Sequence, residues 1–213
     1  MTLKLNGSSS GSVSIDAPAA TTGGADVTLT LPVNDGDANQ YLQTNGSGAL
    51  VWASPLTQLA ATTTSGADNY TWESIPAGFK RLTMIFTNVS MSGTDAIKIE
   101  LGGGSYYTSN YLGTSGFIAG TSGNAQEFAS TDAFYAYQAV AAKSISGHAI
   151  ITPGTTGTSA TYVYSFQGTH EDGSAAFGAG SLTGVSDAIT KVKIRSSGSN
   201  TFDAGTVSIM YEM

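Results

Sequence analysis

Histidine and acidic side chains are the first candidates for catalysis or metal binding. His148 lies in SISGHAIITP, and His170 precedes Glu171 and Asp172 in GTHEDG. Two histidines cannot form the three-histidine site of a catalytic zinc enzyme. The side chains of three consecutive residues diverge on a turn, so GTHEDG is better explained as a solvated turn than as a metal or acid–base site. Neighbouring carboxylates also rarely hold the facing separation that glycoside hydrolysis requires.

Three short motifs match the residue pattern of a known functional site but lack the flanking structure or the further ligands that such a site needs. GSSSG at residues 7–11 matches a nucleophile elbow, yet the following SVSIDAP is not a helix sequence. NDGDANQ at residues 34–40 has oxygen ligands at alternate positions but lacks the later glutamate of a calcium loop. GGGS at residues 102–105 follows a strand, but no helix follows it to bind phosphate. We therefore assign no catalytic residue, metal or cofactor, and we expect that the chain is not an enzyme.

The tyrosines of SYYTSNYLG carry the strongest binding signal. Tyr106, Tyr107 and Tyr111 stand among serine, asparagine and glycine. Binding loops favour this mixture, because a rigid ring offers a large contact area at a low cost in entropy and sugars stack on it. The alternative is that one or two of these rings fill the end of the fold. AFYAYQ, residues 133–138, leaves the same two alternatives, with core packing favoured.

Composition restricts both the fold and the partners. Charged residues make up only 11% of the 213 residues, so the chain is poor in the residues of long amphipathic helices. The formal net charge of −7, without clusters of lysine and arginine, argues against nucleic acid and bare anionic membrane as partners. Because there is no cysteine, stability must come from packing, strand pairing or association with other chains.

The N-terminal sequence MTLKLNGSSSG has no apolar run of the length that a secretion signal needs. No stretch of the chain approaches the roughly 20 apolar residues of a membrane span. We therefore expect synthesis in the cytoplasm without a signal peptide, and no membrane insertion.

The first 54 residues form a block of short alternating stretches. LKLNG, SVSIDAP, VTLTLP, YLQT and ALVWA alternate apolar and polar residues with the two-residue period of strands, and turn residues separate them. Burying its few apolar side chains yields less free energy than is lost by ordering about fifty residues. We predict that this block does not fold alone and that it docks onto copies of itself, a partner or the rest of the chain. The residues assigned to docking and association are Leu29, Leu31, Leu42, Leu50 and Trp52.

The strands lengthen after a boundary near Ser54. RLTMIFTNV, AIKIEL, HAIITP, TYVYSFQG, ITKVKIRS and TVSIMYE are predicted to be strands. Gly-rich LGGGSYYTSNYLGTSG and FGAGSLTG are predicted to be loops, and NAQEFASTDAFYAYQAVAAKS is the one stretch in which a short helix is conceivable. The expected inward residues are Leu82, Met84, Phe86, Val207, Ile209 and Tyr211.

Regular antiparallel strands without recurrent helices predict an all-β chain. Residues 1–54 are expected to be a short-stranded N-terminal block for docking and trimerisation. Residues 55–213 are expected to be an antiparallel β-sandwich head of jelly-roll type.

The order of elements in the first block resembles a leader of bacteriophage tail-fibre and related virion proteins, especially those of marine phages. The segment GSSSGSVSIDAPAATTGGADVTLTLPVNDGDANQYLQTNGSGALVWA contains a Gly/Ser strand, an apolar TLTLP strand, a D-G turn and an LQTNGSG-L-W hairpin in that order. The resemblance covers about residues 3–53, and the remainder resembles the β-sandwich heads of phage fibre and tail-tip proteins more loosely. It implies a homotrimer in the virion, a leader that docks to other virion proteins and a head that touches the host surface.

The expected function is therefore that of a tail-fibre virion protein whose C-terminal β-domain binds a host surface receptor. The acidic balance favours a neutral glycan or a protein receptor over bare lipopolysaccharide phosphates. One alternative is a head-decoration, collar or adaptor protein without a receptor role. Another is a polysaccharide-degrading enzyme or a cellular lectin, although such depolymerases usually need a longer chain with more carboxylates.

Overall fold

The computed structural model describes residues 3–136, 143–155, 157 and 159–213. These residues form strands joined by turns, with one 3₁₀ turn at Thr22–Gly24 and no α-helix among them. The predicted all-β class is confirmed. No helix in the described residues is long and apolar enough to cross a bilayer.

The chain divides into two compact units, Met1–Ser54 and Pro55–Met213. The first unit contains two antiparallel hairpins, one of β1 with β2 and one of β3 with β4. Their strands are β1 (Leu3–Asn6), β2 (Ser12–Ile15), β3 (Tyr41–Thr44) and β4 (Leu50–Ala53).

The prediction of a strand in VTLTLP is wrong. Only Thr30 of this stretch joins a sheet-like pair, through an isolated parallel bridge to Ala49. The Thr30 N–H donates to Gly48 O at 2.9 Å, and the Leu50 N–H donates to Thr30 O at 2.8 Å. The stretch has no further strand partner in the described chain, so alternation alone does not extend it into a ladder.

The second unit contains two antiparallel sheets. Its strands are β5 (Leu56–Gln58), β6 (Thr62–Thr63), β7 (Asn69–Trp72), β8 (Arg81–Met91), β9 (Ile97–Gly102), β10 (Tyr111–Ala119), β11 (Ser122–Thr131), β12 (Phe134–Ala136), β13 (Ile145–Thr155), β14 (Ala160–His170), β15 (Ala175–Val185), β16 (Lys191–Ser196) and β17 (Phe202–Glu212).

The larger sheet has the order β11-β10-β15-β14-β13-β8-β17-β5, with β6 also paired to β17. The smaller sheet has the order β12-β9-β16-β7. Early strands pair with late ones, β8 with β17, β9 with β16 and β10 with β15. The jelly-roll connectivity stays a prediction.

One apolar core lies between the two sheets of the second unit. Alternate residues of β8 and β17 point into it, and the predicted inward residues of these strands are buried there, apart from the half-buried Tyr211. The ring of Phe134 on β12 stacks on Tyr164 of β14, with centroids 4.5 Å apart. The ring of Tyr70 on β7 packs edge-on against the ring of Phe202 on β17, with centroids 5.6 Å apart. The unit is therefore a sandwich-like fold in which the two sheets contact each other through rings.

The loop prediction for the two Gly-rich stretches is right for residues 103–110, which connect β9 to β10, and wrong for the rest. YLGTSG begins β10, and FGAGSLTG forms most of β15. A Cβ on Gly180 would collide with Leu112 O, and one on Gly116 with Asn124 O. Glycine is present here because neighbouring strands approach closely, a use that strand propensity does not register.

The stretch in which a short helix was conceivable forms β11 and β12 in its described part. Phe134 is buried, so it packs in the core as predicted. Tyr135 is half-buried. Tyr137 and the rest of 137–142 lie outside the described residues.

Candidate functional site

The three tyrosines predicted to bind a receptor lie between the end of β9 and the start of β10, but in different environments. Tyr111 is fully buried, and its ring edge packs on Phe134 with centroids 4.8 Å apart. The Leu101 N–H donates to its Oη at 2.9 Å. Burial raises the pKa of Tyr111 well above its usual range, although the backbone bond at Leu101 opposes this. Tyr111 therefore fills the core, and the expectation that it contacts a receptor is corrected.

Tyr107 links two loops at one end of the sandwich. The backbone N–H groups of Ser186 and Asp187 both donate to its Oη, each at 2.9 Å. Its own N–H donates to Leu101 O at 2.9 Å, and its half-buried ring packs against the core. Because the hydroxyl is occupied by two donors, Tyr107 holds the β9–β10 loop against the β15–β16 loop.

Tyr106 lies over the outer face of the smaller sheet, where a bridge to Gly102 fixes its backbone. Two ammonium groups sit on its ring, with Lys193 Nζ 4.3 Å and Lys191 Nζ 4.8 Å from the ring centroid. A ring face attracts cations through its quadrupole, so Tyr106 stabilises both charges. Lys191 Nζ also donates to Gly104 O at 2.9 Å.

The hydroxyl of Tyr106 is buried and has no hydrogen-bond partner in the described part of the chain. Burial, followed by the negative charges of Glu73 and Glu100, raises the pKa of Tyr106 to about 12. The group therefore stays protonated at neutral pH and can donate a hydrogen bond. An unpaired buried hydroxyl is uncommon in folded proteins.

A network of ion pairs extends across the same outer face. Glu100 has only 4% of its side chain exposed and pairs with Lys193 at 2.6 Å and with Arg195. Arg195 also pairs with Asp132, which pairs with Lys98 at 2.8 Å. The network joins β9 and β16 to Asp132, which lies just before β12.

The carboxyl group of Asp132 is tuned by its position in this network. Burial alone would raise its pKa, but the hydrogen bond and charge of Lys98 and the charge of Arg195 outweigh burial. The pKa of Asp132 therefore lies below its usual range. The group is ionised, and its charge contributes to stability at neutral pH.

Sequence reasoning missed this charged face, although a signal was present. IKIE in β9 and KVKIR in β16 alternate apolar and charged residues, which places the charges of each strand on one side. The strand pairing then sets Lys193 opposite Glu100 and Arg195 opposite Lys98. Each pattern could be found separately in the sequence, but their pairing depends on the register.

The acidic residues next to His170 have separate partners. Glu171 accepts a hydrogen bond from the Ser144 hydroxyl at 3.0 Å, whereas Asp172 pairs with Lys143. His170 itself is buried at the end of β14. The described residues contain no group of three or more histidine or acidic side chains that could hold a metal ion.

The three formal motifs lie in turns and loops. Residues 7–11 connect β1 to β2, with the Gly7 N–H donating to Gly11 O at 2.9 Å. Residues 34–40 form a loop in which the Asp37 N–H donates to Gln40 Oε1 at 2.7 Å. Residues 102–105 lead from β9 towards β10. None of the three is followed by a helix in the described residues.

The predicted association residues of the first unit are largely open to solvent. Leu29 and Leu31 are 60% and 68% exposed, Leu42 is exposed, and Leu50 and Trp52 are half-buried. Of the fifteen large apolar side chains that the described chain exposes, ten belong to this unit. Every buried hydrophobic side chain of the described residues lies between Trp72 and Ile209. The described residues of the first unit therefore contain no buried apolar core.

Trp52 holds the second hairpin of this unit to the preceding loop. Its Nε1–H donates to Asn34 O at 3.0 Å. Gly36 lies under the ring at a φ of 72°, and a Cβ there would be 2.6 Å from Trp52 Cδ2. This contact explains why a small hairpin forms where little else is apolar.

An apolar groove of about 710 Å³ runs along the first hairpin of the same unit. Its apolar lining residues include Leu3, Ile15, Pro18, Val27 and Leu29. These side chains are the exposed ones, so the groove can receive apolar side chains of another chain.

No family model, no curated protein and no solved structure matches this chain. The resemblance of residues 3–53 to phage fibre leaders stays a prediction from the sequence.

Proposed function

We propose that this chain is a virion structural protein of bacteriophage tail-fibre type. It associates as a homotrimer through its first unit, attaches to other virion proteins there and binds a host surface component through its second unit. One observation carries this proposal: the described residues of the first unit expose ten large apolar side chains and bury none, whereas those of the second unit form an apolar core.

Association with other chains would remove the exposed apolar side chains of the first unit from water. Burying an exposed leucine or isoleucine side chain contributes about 1.5 to 3 kcal/mol, and a threefold assembly repeats each contact three times. The groove between Leu3, Ile15 and Leu29 offers a place for the partner's apolar side chains. The order of elements in residues 3–53 supports the same role, because it resembles leaders that trimerise on the particle.

The second unit suits a rigid binding head. Its packed sandwich holds the Tyr106 loop and the charged face in fixed positions. Three copies on one fibre would bind together, so weak single sites gain avidity through effective concentration.

Sedimentation of the full chain tests the association. We expect the sedimenting species to have three times the mass of one chain at micromolar concentration. The double variant Leu29→Asp with Leu31→Asp should dissociate, since it places charges in the apolar contact. Leu112→Asp is the matched control, because Leu112 is an exposed leucine on β10 of the other unit. A folded wild-type monomer would overturn the trimer.

Electron micrographs of antibody-labelled particles test the place of the chain in the virion. Label on the tail fibres, together with staining of host cells by labelled protein, supports the fibre role. Label on the capsid or neck without cell staining selects the decoration, collar or adaptor alternative.

A further inference from the structure

We propose that residues 26–31 of the first unit form a strand that is completed by β1 of a second copy of this chain. The backbone of this 26–31 segment pairs with that strand, and the apolar side chains of the two pack together. This inference rests on the proposed function, in which the first unit associates with copies of itself, and it names the contact that joins them.

One edge of the 26–31 segment is already paired within the chain. The Thr30 N–H donates to Gly48 O at 2.9 Å, and the Thr30 carbonyl accepts from the Leu50 N–H at 2.8 Å. The carbonyl of Thr28 lies on the same side, because a Cβ on Gly48 would be 2.8 Å from Thr28 O. This edge therefore faces the β3–β4 hairpin.

The opposite edge of the segment is open. Neighbouring residues of an extended chain direct their backbone groups to opposite sides, so those of Leu29 and Leu31 point away from the β3–β4 hairpin. No described residue forms a hydrogen bond with the backbone of Leu29 or Leu31. A row of unpaired backbone groups is the edge that a strand of another chain can join.

The side chains of the segment carry an apolar face beside this edge. Val27, Leu29 and Leu31 are exposed, and their two-residue spacing places them on one face of an extended chain. Val27 and Leu29 also line the groove of about 710 Å³, so there is room for another strand next to the segment. The segment thus lacks both a strand partner and a cover for its apolar side chains.

Strand β1 has the pattern that fits this edge. It is one of the two strands of its sheet, so one of its own edges is unpaired in the described chain. Its Leu3 and Leu5 are exposed on one face, and Lys4 lies on the other. Pairing that brings the leucines of both strands to one face puts Lys4 on the face of Asp26, whereas a slip by one residue would separate them.

The charges of the first unit are complementary in the same arrangement. Lys4 is the only basic residue among residues 1–54, and the acidic ones are Asp16, Asp26, Asp35 and Asp37. Every ion pair of the described residues lies in the second unit, so Lys4 has no carboxylate partner within its own described chain. Asp26 of a neighbouring copy supplies that partner.

The exposed apolar surface is large enough for a specific contact. The described first unit exposes ten large apolar side chains. At roughly 50 Å² each, they supply on the order of 500 Å² of apolar surface. A standard interface takes about 450 Å² of apolar surface from each partner. The occupant is therefore argued to be a second copy, which carries both the matching strand and the missing cation.

Hydrogen exchange of the full chain at micromolar concentration tests the strand pairing. Relative to their intrinsic rates, the Leu29 and Leu31 amides should exchange at least about tenfold more slowly than an unpaired amide. The exposed Ser9 in the β1–β2 turn is the unpaired reference, and Thr30 is the paired one. NMR measures the rates residue by residue.

Charge reversal tests whether β1 is the partner. At low salt, Lys4→Glu and Asp26→Lys should each raise the dissociation constant of the assembly by about tenfold, since each places like charges together in every copy. The double variant with both changes should restore wild-type affinity. Asp35→Lys is the matched control, because it makes the same charge change in the 34–40 loop. Sedimentation at several concentrations gives the constants.

The outcomes separate this inference from the proposed function. A trimer whose Leu29 and Leu31 amides exchange as fast as Ser9 refutes this inference alone. Protected amides without rescue in the double variant also overturn it, because they show that another strand fills the edge. A dimer with protected amides and rescue refutes the trimer and supports the strand pairing. A monomer refutes both.

Discussion

Phe134 stacks on Tyr164 across the core of the second unit, with ring centroids 4.5 Å apart and an interplanar angle of 9°. The Tyr164 hydroxyl also donates to Tyr135 O at 2.8 Å, so this tyrosine contacts β12 through both its ring and its polar end. The short strand β12 is thereby held to the larger sheet. The edge of the smaller sheet depends on this contact.

Replacing Phe134 with alanine should destabilise the second unit by about 3 to 5 kcal/mol, because it leaves a cavity beside Tyr164. Urea denaturation followed by circular dichroism measures the change. Leu112→Ala removes a side chain that is 45% exposed and should cost less than about 1 kcal/mol. Equal effects of the two changes would show that the stacked ring is not a core contact.

Glu100→Gln should destabilise the fold by about 1 to 3 kcal/mol. It leaves Lys193 and Arg195 without the buried carboxylate that both contact. Glu212→Gln is the matched control, because its partner Arg81 has 50% of its side chain exposed. That change should cost less than about 1 kcal/mol. If the two substitutions change the free energy of unfolding in urea equally, the buried network is not a source of stability.

The ion pairs of Asp132 predict a loss of stability in acid. Its folded pKa lies below the usual value of about 3.8, because Lys98 and Arg195 favour the charged form. The group therefore stabilises the fold above that pH, and its contribution is lost as pH falls through the folded pKa. The stability difference between wild type and Asp132→Asn should shrink below about pH 4. A difference that stays constant between neutral pH and the acid range contradicts the assignment.

Gly36→Ala and Gly46→Ala separate ring contact from backbone strain in the first unit. Both glycines have a positive φ, 72° and 82°, but only a Cβ at residue 36 meets the Trp52 ring. We expect faster hydrogen exchange of the Leu50 amide in Gly36→Ala than in Gly46→Ala. NMR measures the exchange, since this amide donates to Thr30 O only while the hairpin lies on its loop. Equal exchange in the two variants would mean that Trp52 does not hold the hairpin.

Some predictions needed only the alternation of residue types along the chain. The long strands with Leu82, Met84, Val207 and Ile209 inward follow from a two-residue period, which a strand with one face on the core shows. The exposure of Leu29 and Leu31 agrees with the small apolar inventory of the first block. Periodicity and composition are local properties, so they can be read before the fold is known.

Other features depended on contacts between distant residues. Arg195 meets Glu100 from 95 positions away and Asp132 from 63, and only the strand register brings the three together. The burial of Tyr111 follows from its place at the start of β10, and glycine occupies positions 116 and 180 because the neighbouring strand leaves no room there for a Cβ. The sequence alone determined the all-β class and the inward faces of the long strands, because side-chain alternation is a local property. Only the tertiary structure decided which charges meet and which tyrosines remain accessible, because strand pairing sets those distances.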